Sequence, residues 1–461
     1  MQNVPNTQQA PVVHCRSGKD VRTRRRPLLL FGLAAAAALA LGADPALAAT
    51  YTVSTTAELQ SALAKAVGGD TIRLNPGSYG YINIASRNFG GAGVVIRPAT
   101  SRPRLTRLQV SSSSGITLLG LDVIGTNHPL VGIHGSSDIL LAGLTLRGSE
   151  NNDPWDDSNS GLHIRNSNRV SFTNSRVHDF KVGLFIQRSN GVVIADNEFS
   201  YLREGMNIAA ADRLLIYRNR FQNFFPRYDL GEHPDAIQFW MTNETVQSRN
   251  VVIADNYIAT GGPRAVQGML LGSGPDNYRN IEIRNNVYYG SAKNAITLWR
   301  AENSLVWGNT VFASPHADLN KSGSQDPTGQ TSGGLQPNIN IFRPEGVRII
   351  GNIAMNYTMS DPGHVEYNNI DLWDTMRKSG VPVTDIFNAR PTVNIPPISA
   401  WRVKAGSLAD LLPAGARLPS VVGVQATGLN TVLSSARAYQ NSLATFEQWY
   451  SPLFWQGMGT E

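Results

Sequence analysis

Tyr228, Glu232, His233 and Asp235 fall within the run YDLGEHPDAIQFW (228–240), directly ahead of an alternating, strand-like stretch. An imidazole with an ordinary pKa near neutrality is the natural general base, and Asp235 or Glu232 beside it would orient the ring or raise its basicity. The Tyr228 phenol would serve as the acid once a neighbouring cation perturbs it. The bland alternative is a decorated turn, in which His233 caps a bend held by Pro234 and Asp235 accepts backbone N–H bonds. Gln238 on the following strand and Arg264 further on tilt the balance towards function.

The elements that must position this cluster are repeats. NGVVIADNEF (190–199), NVVIADNYI (250–258) and NIEIRNNVYY (280–289) read almost alike, with weaker relatives on both sides. Aligning the residue after each apolar stretch gives Gly120, Gly143, Asn174, Asn197, Asn219, Asn256, Asn286, Asn309 and Asn352, at intervals of 23, 31, 23, 22, 37, 30, 23 and 43. A base period of 22–23 broken by insertions is internal repetition. Each unit holds short alternating runs rich in Val, Ile and Phe, with no sustained helical period, so the repeat is β rather than leucine-rich or helical. The recurrent Asn suits a position stacked from coil to coil, where its amide bonds along the ladder and tolerates a left-handed turn. These features predict an all-β fold: a right-handed parallel β-helix of roughly ten coils over residues 49–375. STTAELQSALAKAV predicts a capping helix at the front, and residues 376–461 an irregular, partly helical C-terminal flank and cap.

Residues 1–48 read as an export signal: RTRRRPLLL, an apolar FGLAAAAALALG and an A-x-A-like site near Ala48, with a loose twin-arginine look. The apolar run is too short for a membrane span. The expected location is periplasmic or secreted, and the expected state a monomer. Residues 1–48 carry six of the 40 Lys and Arg and two of the 34 Asp and Glu, leaving 34 basic and 32 acidic residues, a balance that excludes a global nucleic-acid role. The only cysteine, Cys15, leaves with that segment, so neither a disulfide nor a thiolate metal site stabilises the rest.

Four insertions lengthen the repeat at one phase: RGSENNDPWDDSNS, NFFPRYDLGEH, TGGPRAV and SPHADLNKSGSQDPTGQTSGG. They should project from one side and wall a groove. The strand that follows recurs as GLHI, GLFI, GMNI, AIQF, AITL and NINI, and alternation turns His163, Phe185, Asn207, Gln238, Thr297 and Asn340 outward. Just ahead of it lie Lys181, Arg203 with Glu204, His233 with Asp235, Arg264, and Lys293, a stack predicted to form a cationic bed. The groove set is completed by Gln267, Trp299 and Arg300. Trp155, Trp240 and Trp299 are either sugar platforms or packing. Asp153, Asp156 and Asp157 leave calcium open as a cofactor, although their spacing defines no ligand set and no metal site is assigned.

The helix followed by GGDTIRLNPGSY, the NVVIADN-type coils and the leader resemble the pectate-lyase-like family of secreted right-handed β-helix proteins, over roughly residues 51–370. The resemblance implies a polysaccharide substrate; lyases, uronate epimerases, glycoside hydrolases and phage depolymerases share this scaffold. The Tyr228–Asp235 cluster resembles the Asp-Pro-His motif of alginate C5-epimerases, with the order here His233-Pro234-Asp235. Lys181 and Arg203 resemble the lysine base and arginine acid of chondroitinase B-like lyases, without the acidic calcium motif beside the lysine. On an acidic polysaccharide the expected chemistry is abstraction of a uronate C5 proton by His233. Arg264 would hold the carboxylate, Lys181 and Arg203 would serve the adjacent subsite, and β-elimination would follow. A C5-epimerase, a hydrolase using Glu204, Asp229, Glu232 or Asp235, and a non-catalytic binding or adhesion β-helix remain alternatives.

Overall fold

The computed structural model describes residues 48–456, apart from 242–243, 263, 273, 275–276, 315–336, 381, 389–394 and 425–427. Successive turns of chain stack as coils of a parallel β-helix. One coil shows the plan: strand Asn190–Ala195, a tight turn, then strand Glu198–Ala209, which bends midway and serves two sheets. A first sheet runs through thirteen parallel strands from Thr50–Val53 to His364–Tyr367. A second carries the strands after the Asn turn, such as Arg220–Phe224 and Tyr257–Ala259. The third, here the floor, runs in register from Ser78–Ala85 to Asn356–Met359.

The interior follows from alternation. Leu184, Met206, Ile237, Met269, Ile296 and Ile339 form one buried column of the floor, and Ile186, Ile208, Phe239, Leu271, Leu298 and Ile341 the next. Such columns put like on like at about 4.8 Å, which only apolar or self-complementary side chains tolerate.

Asparagine supplies the self-complementary column. The Nδ2 of Asn197, Asn219, Asn256, Asn286, Asn309 and Asn352 donates to the Oδ1 of the next, ending on Asn369, over 2.9–3.1 Å. Each side chain also accepts a backbone N–H from the previous coil, as Asn256 does from Asn219 at 2.9 Å, and donates to a carbonyl, Ile216 O for Asn256 at 2.9 Å. The residue before each Asn occupies the left-handed region: Asp196, Arg218, Asp255, Asn285, Gly308 and Gly351. Sequence alignment merges these two neighbouring positions. Gly120, Gly143 and Asn174 belong to the left-handed position, and the ladder continues backwards through Ser175, whose Oγ accepts from Leu144 N at 2.9 Å. Asn is tolerated at both places, which is why type alone does not separate them. A shorter serine column runs along the other turn, where Ser136, Ser167 and Ser189 each accept the backbone N–H of the preceding Ser.

The helix Thr56–Lys65 covers the first coil with Leu59, Ala62 and Leu63. Thr55 Oγ1 accepts from Glu58 N, capping the helix, and Glu58 Oε2 accepts from Ser54 N just ahead of the cap. The C-terminal flank lies lengthwise along the coils. Phe387, Trp401 and Ile386 pack on Tyr257, Tyr289 and Phe312 of the second sheet. The helix Leu429–Ser442 and the turns after it cover the first sheet, with Tyr439, Leu443, Phe446 and Phe454 against Val193, Leu215 and Val252. Among the described residues two of the three sheets are thus cloaked, and the floor is the sheet left open. No described helix is long and apolar enough to cross a membrane.

Asn256 is fully buried and its removal strands donors and acceptors on both neighbouring coils. Asn256→Ala is expected to cost about 3 kcal/mol, at 1–3 kcal/mol per stranded group. The checks are a lowered urea midpoint and faster amide exchange at Asn219 and Asn256.

Candidate active site

The floor is shaped by small residues. Gly161, Gly183, Gly205, Ala236, Gly268 and Ala295 occupy one column, and a Cβ on Gly205 would lie 2.2 Å from Ala236 O. The same tight approach recurs at Gly268, where a Cβ would lie 2.1 Å from Ala295 O. This bend turns two residues of each strand to the groove, three apart in sequence. Asn207 Nδ2 donates to Glu204 Oε2 at 3.0 Å, and Ser160 Oγ lies 2.6 Å from His163 Nε2.

One resulting column is the predicted stripe: His163, Phe185, Asn207, Gln238, Thr297 and Asn340 lie in register, with Leu270 between the last two pairs. Sequence reading passed over the Leu270 coil because QGMLL lacks a polar residue at the stripe position. The second column holds Ser160, Val182 and Glu204, then Asp235 and Gln267, then Asn294 and Asn338. Sequence reading weighed Glu204 only as a hydrolase carboxylate and missed Asn294; the alignment that gave the stripe would have shown this column too.

His233 and Asp235 form the centre. His233 Nδ1 lies 2.9 Å from Asp235 Oδ2, and the ring keeps 37% of its side-chain surface exposed while Asp235 is buried. The hydrogen bond to Asp235 raises the imidazole pKa above its ordinary value, against burial. Burial also pushes Asp235 up, opposed by the bond to His233, so the pair holds a proton between them readily. Glu204 faces this pair. Burial, then the Asp235 and Glu232 charges, push it up to about 7, opposed by the Asn207 hydrogen bond and the Lys181 charge. An imidazole made more basic and a carboxyl raised to about 7 therefore share one patch of the floor.

The arginines do not form the predicted cationic bed. Arg203 is 4% exposed; it donates to Asp157 O at 2.6 Å and pairs with Glu232 Oε1 at 3.4 Å, tying one insertion to the other. Arg264 lies over the Trp155 ring at 4.4 Å and donates to Pro226 O at 2.9 Å. Arg227 also lies over the Trp155 ring at 4.9 Å, so that tryptophan packs against two guanidiniums. Both arginines build the wall; a planar, weakly hydrated guanidinium is easier to bury there than in front of a ligand. Tyr228 is also misassigned as the acid, since it is buried in the single turn Tyr228–Leu230 with its hydroxyl donating to Ala265 O. Glu232 is committed to Arg203 and to Arg227 N, at 2.8 Å.

Lys181 is half-buried near Glu204, and Lys293 is exposed. His163 is buried against Ser160, Phe185 and His128, and burial drives its pKa down to about 3, so it is a neutral floor residue. Trp299 packs on Phe342 with centroids 4.5 Å apart, Arg300 takes the left-handed turn that follows, and Gln238 and Trp240 are half-buried. The first three insertions leave from between the second sheet and the floor, as their phase predicts; most of the fourth lies outside the described residues. In the first, Asp157 accepts from Ser149, Asp156 from Asn151 and Asp153 from Trp155 N, so these carboxylates close the loop on itself instead of forming a calcium cage. Among the described residues no three His, Cys, Asp or Glu are grouped to hold a metal ion.

Residues 108–311 match the family model described as the right handed beta helix region. No curated protein sequence matches the chain. Among solved structures it is similar to pectate lyase Pel9A, with 14% identity, 82% of this chain and 96% of that one covered, and a TM-score of 0.40. It is also similar to the PL6 family polysaccharide lyase Pedsa3628 from Pseudopedobacter saltans (12%, 82% and 100%, 0.41). A third likeness is to the Streptococcus pneumoniae surface protein and adhesin PfbA (12%, 68% and 95%, 0.38). Likenesses this distant speak to architecture and carry no activity across. By its coils and its match to that family model over residues 108–311 the chain is a right-handed parallel β-helix protein.

Proposed function

We propose that the protein is an exported lyase of uronic-acid-containing polysaccharides, acting at His233. The observation that carries this reading is the His233–Asp235 pair on the sheet that the described residues leave uncloaked, next to a carboxyl poised at about 7. In the proposed step His233 takes the C5 proton of a uronate unit. The C5–H electrons form the C4–C5 double bond as the C4–O4 bond breaks, and the departing O4 takes a proton from Glu204. Lys181 and the amides of Asn207, Gln238 and Gln267 would hold the substrate carboxylate, with Lys293, Arg300 and Trp299 lining subsites on later coils. Hydrolysis is less well supported because it needs two available carboxyls, and Glu232 is bound to Arg203 while Asp235 is bound to His233.

Incubation of the mature protein with a panel of acidic polysaccharides should give a near-ultraviolet 4,5-unsaturated product. His233→Ala should abolish it while leaving the unfolding midpoint within error. Reducing ends without the chromophore would instead make the enzyme a hydrolase, a changed uronate composition at constant chain length an epimerase, and binding without product an adhesin.

The elimination needs His233 neutral and Glu204 protonated. Activity should therefore climb as His233 loses its proton and fall as pH passes about 7, where Glu204 loses its own. Glu204→Gln should lower kcat by about 10²–10⁴, the contribution of a positioned acid. Stability carries the same sign. A carboxyl raised from 4.5 to about 7 favours the fold below 4.5, and that contribution is lost as pH rises through 7. Urea midpoints of Glu204→Gln and wild type should therefore diverge in the variant's favour between pH 5 and 8.

A further inference from the structure

The floor continues beyond the His233 centre. Towards the front of the molecule its stripe runs in register from His163 through Gly132 to Gln109, and the column beside it from Arg165 through His134 to Ser111. Arg107 shares the outward face of Gln109 and lies over the Tyr81 ring at 5.3 Å. Gln109 Nε2 lies 3.1 Å from His134 Nδ1. Glycine at 132 leaves room for both side chains, since a Cβ there would lie 3.0 Å from Gln109 Nε2 and 3.3 Å from His134 Nε2.

Arg107 and Arg165 differ from the arginines around them. Arg102, Arg104 and Arg188, on the same or neighbouring coils, hold Asp122, Glu150 and Glu244 at 2.6, 2.7 and 2.8 Å. Among the described residues Arg107 has no hydrogen bond or ion pair, and its Nε is buried without a partner, as is His134 Nε2. Arg165 is exposed and its Nε donates to the Gln187 amide oxygen at 2.8 Å, with no carboxylate paired to it. Burial, then the Arg165 and Arg107 charges, hold the His134 imidazole below its ordinary pKa, so both guanidiniums act at one spot. Two forks of donors left without an anion beside a neutral imidazole match a carboxylate in charge and in shape.

We propose that Arg107, Arg165 and His134 form a distal anchor that binds a carboxylate-bearing sugar unit of the same polysaccharide chain that reacts at His233. This rests on the lyase reading above and deepens it, by requiring a polyanionic substrate long enough to span both places. The strand of His134 lies four steps from that of Asp235, about 19 Å along the floor. A sugar unit spans about one such step, so the anchor calls for a chain of about five units or more. Between the two places Phe185, His163 and His128 meet edge to face, with centroids 4.7 and 5.2 Å apart, a surface on which sugar faces can rest. The floor thus passes from carboxyls through rings to cations. A polyanion meets Glu204 and Asp235 at the reacting end, so its charge is better matched at the far one. Binding energy gained so far from the reacting bond acts on KM.

The test reads His134 by NMR of the mature protein labelled at histidine, with His134→Gln to assign its signals, and requires no turnover. Millimolar D-glucuronate should shift the His134 signals, and uncharged D-glucose should not. In Arg107→Gln/Arg165→Gln the glucuronate Kd should rise about tenfold or more, the worth of one charge-assisted hydrogen bond or above. A His134 that ignores glucuronate, or that answers glucose equally, overturns the proposal. On the polysaccharide that is cleaved, the double variant should raise KM by about the same factor with kcat kept. An unchanged KM there overturns the link between the anchor and the reacting chain. Should the double variant fail to fold, the exposed Arg165→Gln alone decides both measurements. Absence of product from every polysaccharide would sink the lyase reading and leave the glucuronate titration to judge the anchor, so the two fail separately.

Discussion

The buried asparagine column is the constraint on which the rest of the molecule depends. Each amide meets the one above it, a backbone N–H and a carbonyl, so a coil enters the stack only at one phase. Chain between rungs can then vary freely in length. Rungs lie 22 residues apart at Asn197–Asn219, 37 at Asn219–Asn256 and 43 at Asn309–Asn352, with the same bonds at each. Insertions are accommodated as walls because the ladder resets the register after them. A centre assembled from several coils, with Glu204 on one and His233 and Asp235 on the next, needs that tolerance and that precision together.

The second determinant is which faces are covered. Tyr257, Tyr289 and Phe312 on one sheet, and Val193, Leu215 and Val252 on another, are apolar on their outer sides and receive the C-terminal flank. The floor presents amides, hydroxyls, an imidazole and carboxyls instead, and nothing among the described residues cloaks it. Setting Glu204 and Asp235 into this sheet costs desolvation, visible in their raised pKa values. Sequences carry such locally unfavourable choices where a site requires them.

The coil architecture was legible because it is written in periodic, like-on-like positions: apolar alternation, recurrent Asn and a common insertion phase. The stripe from His163 to Asn340 came out in register for the same reason. What sequence could not supply was the direction of long side chains. Arg203, Arg264 and Tyr228 sit at the predicted phase, yet each turns into the wall, because Asp157 O, Pro226 O and Ala265 O offer acceptors there. Those acceptors lie on other insertions, whose paths no repeat encodes. The C-terminal flank has no period at all, so its course over two sheets was equally invisible.

Moving the guanidiniums into the walls alters the electrostatics of the floor in a consistent direction. A free arginine beside His233 would depress the imidazole pKa and draw the proton off Glu204. With Arg203 neutralised by Glu232, and Arg264 stacked on Trp155, the nearest uncommitted cation acting on Glu204 is Lys181, and its effect is the smallest of those acting there. Burial then lifts Glu204, with Asp235 and Glu232 adding to it, while the hydrogen bond to Asp235 lifts His233. Neutral amides such as Asn207, Gln238 and Gln267 can grip a sugar carboxylate without reversing either shift. A strengthened base beside an acid raised to about 7 thus follows from where the charges were hidden as much as from where they were placed.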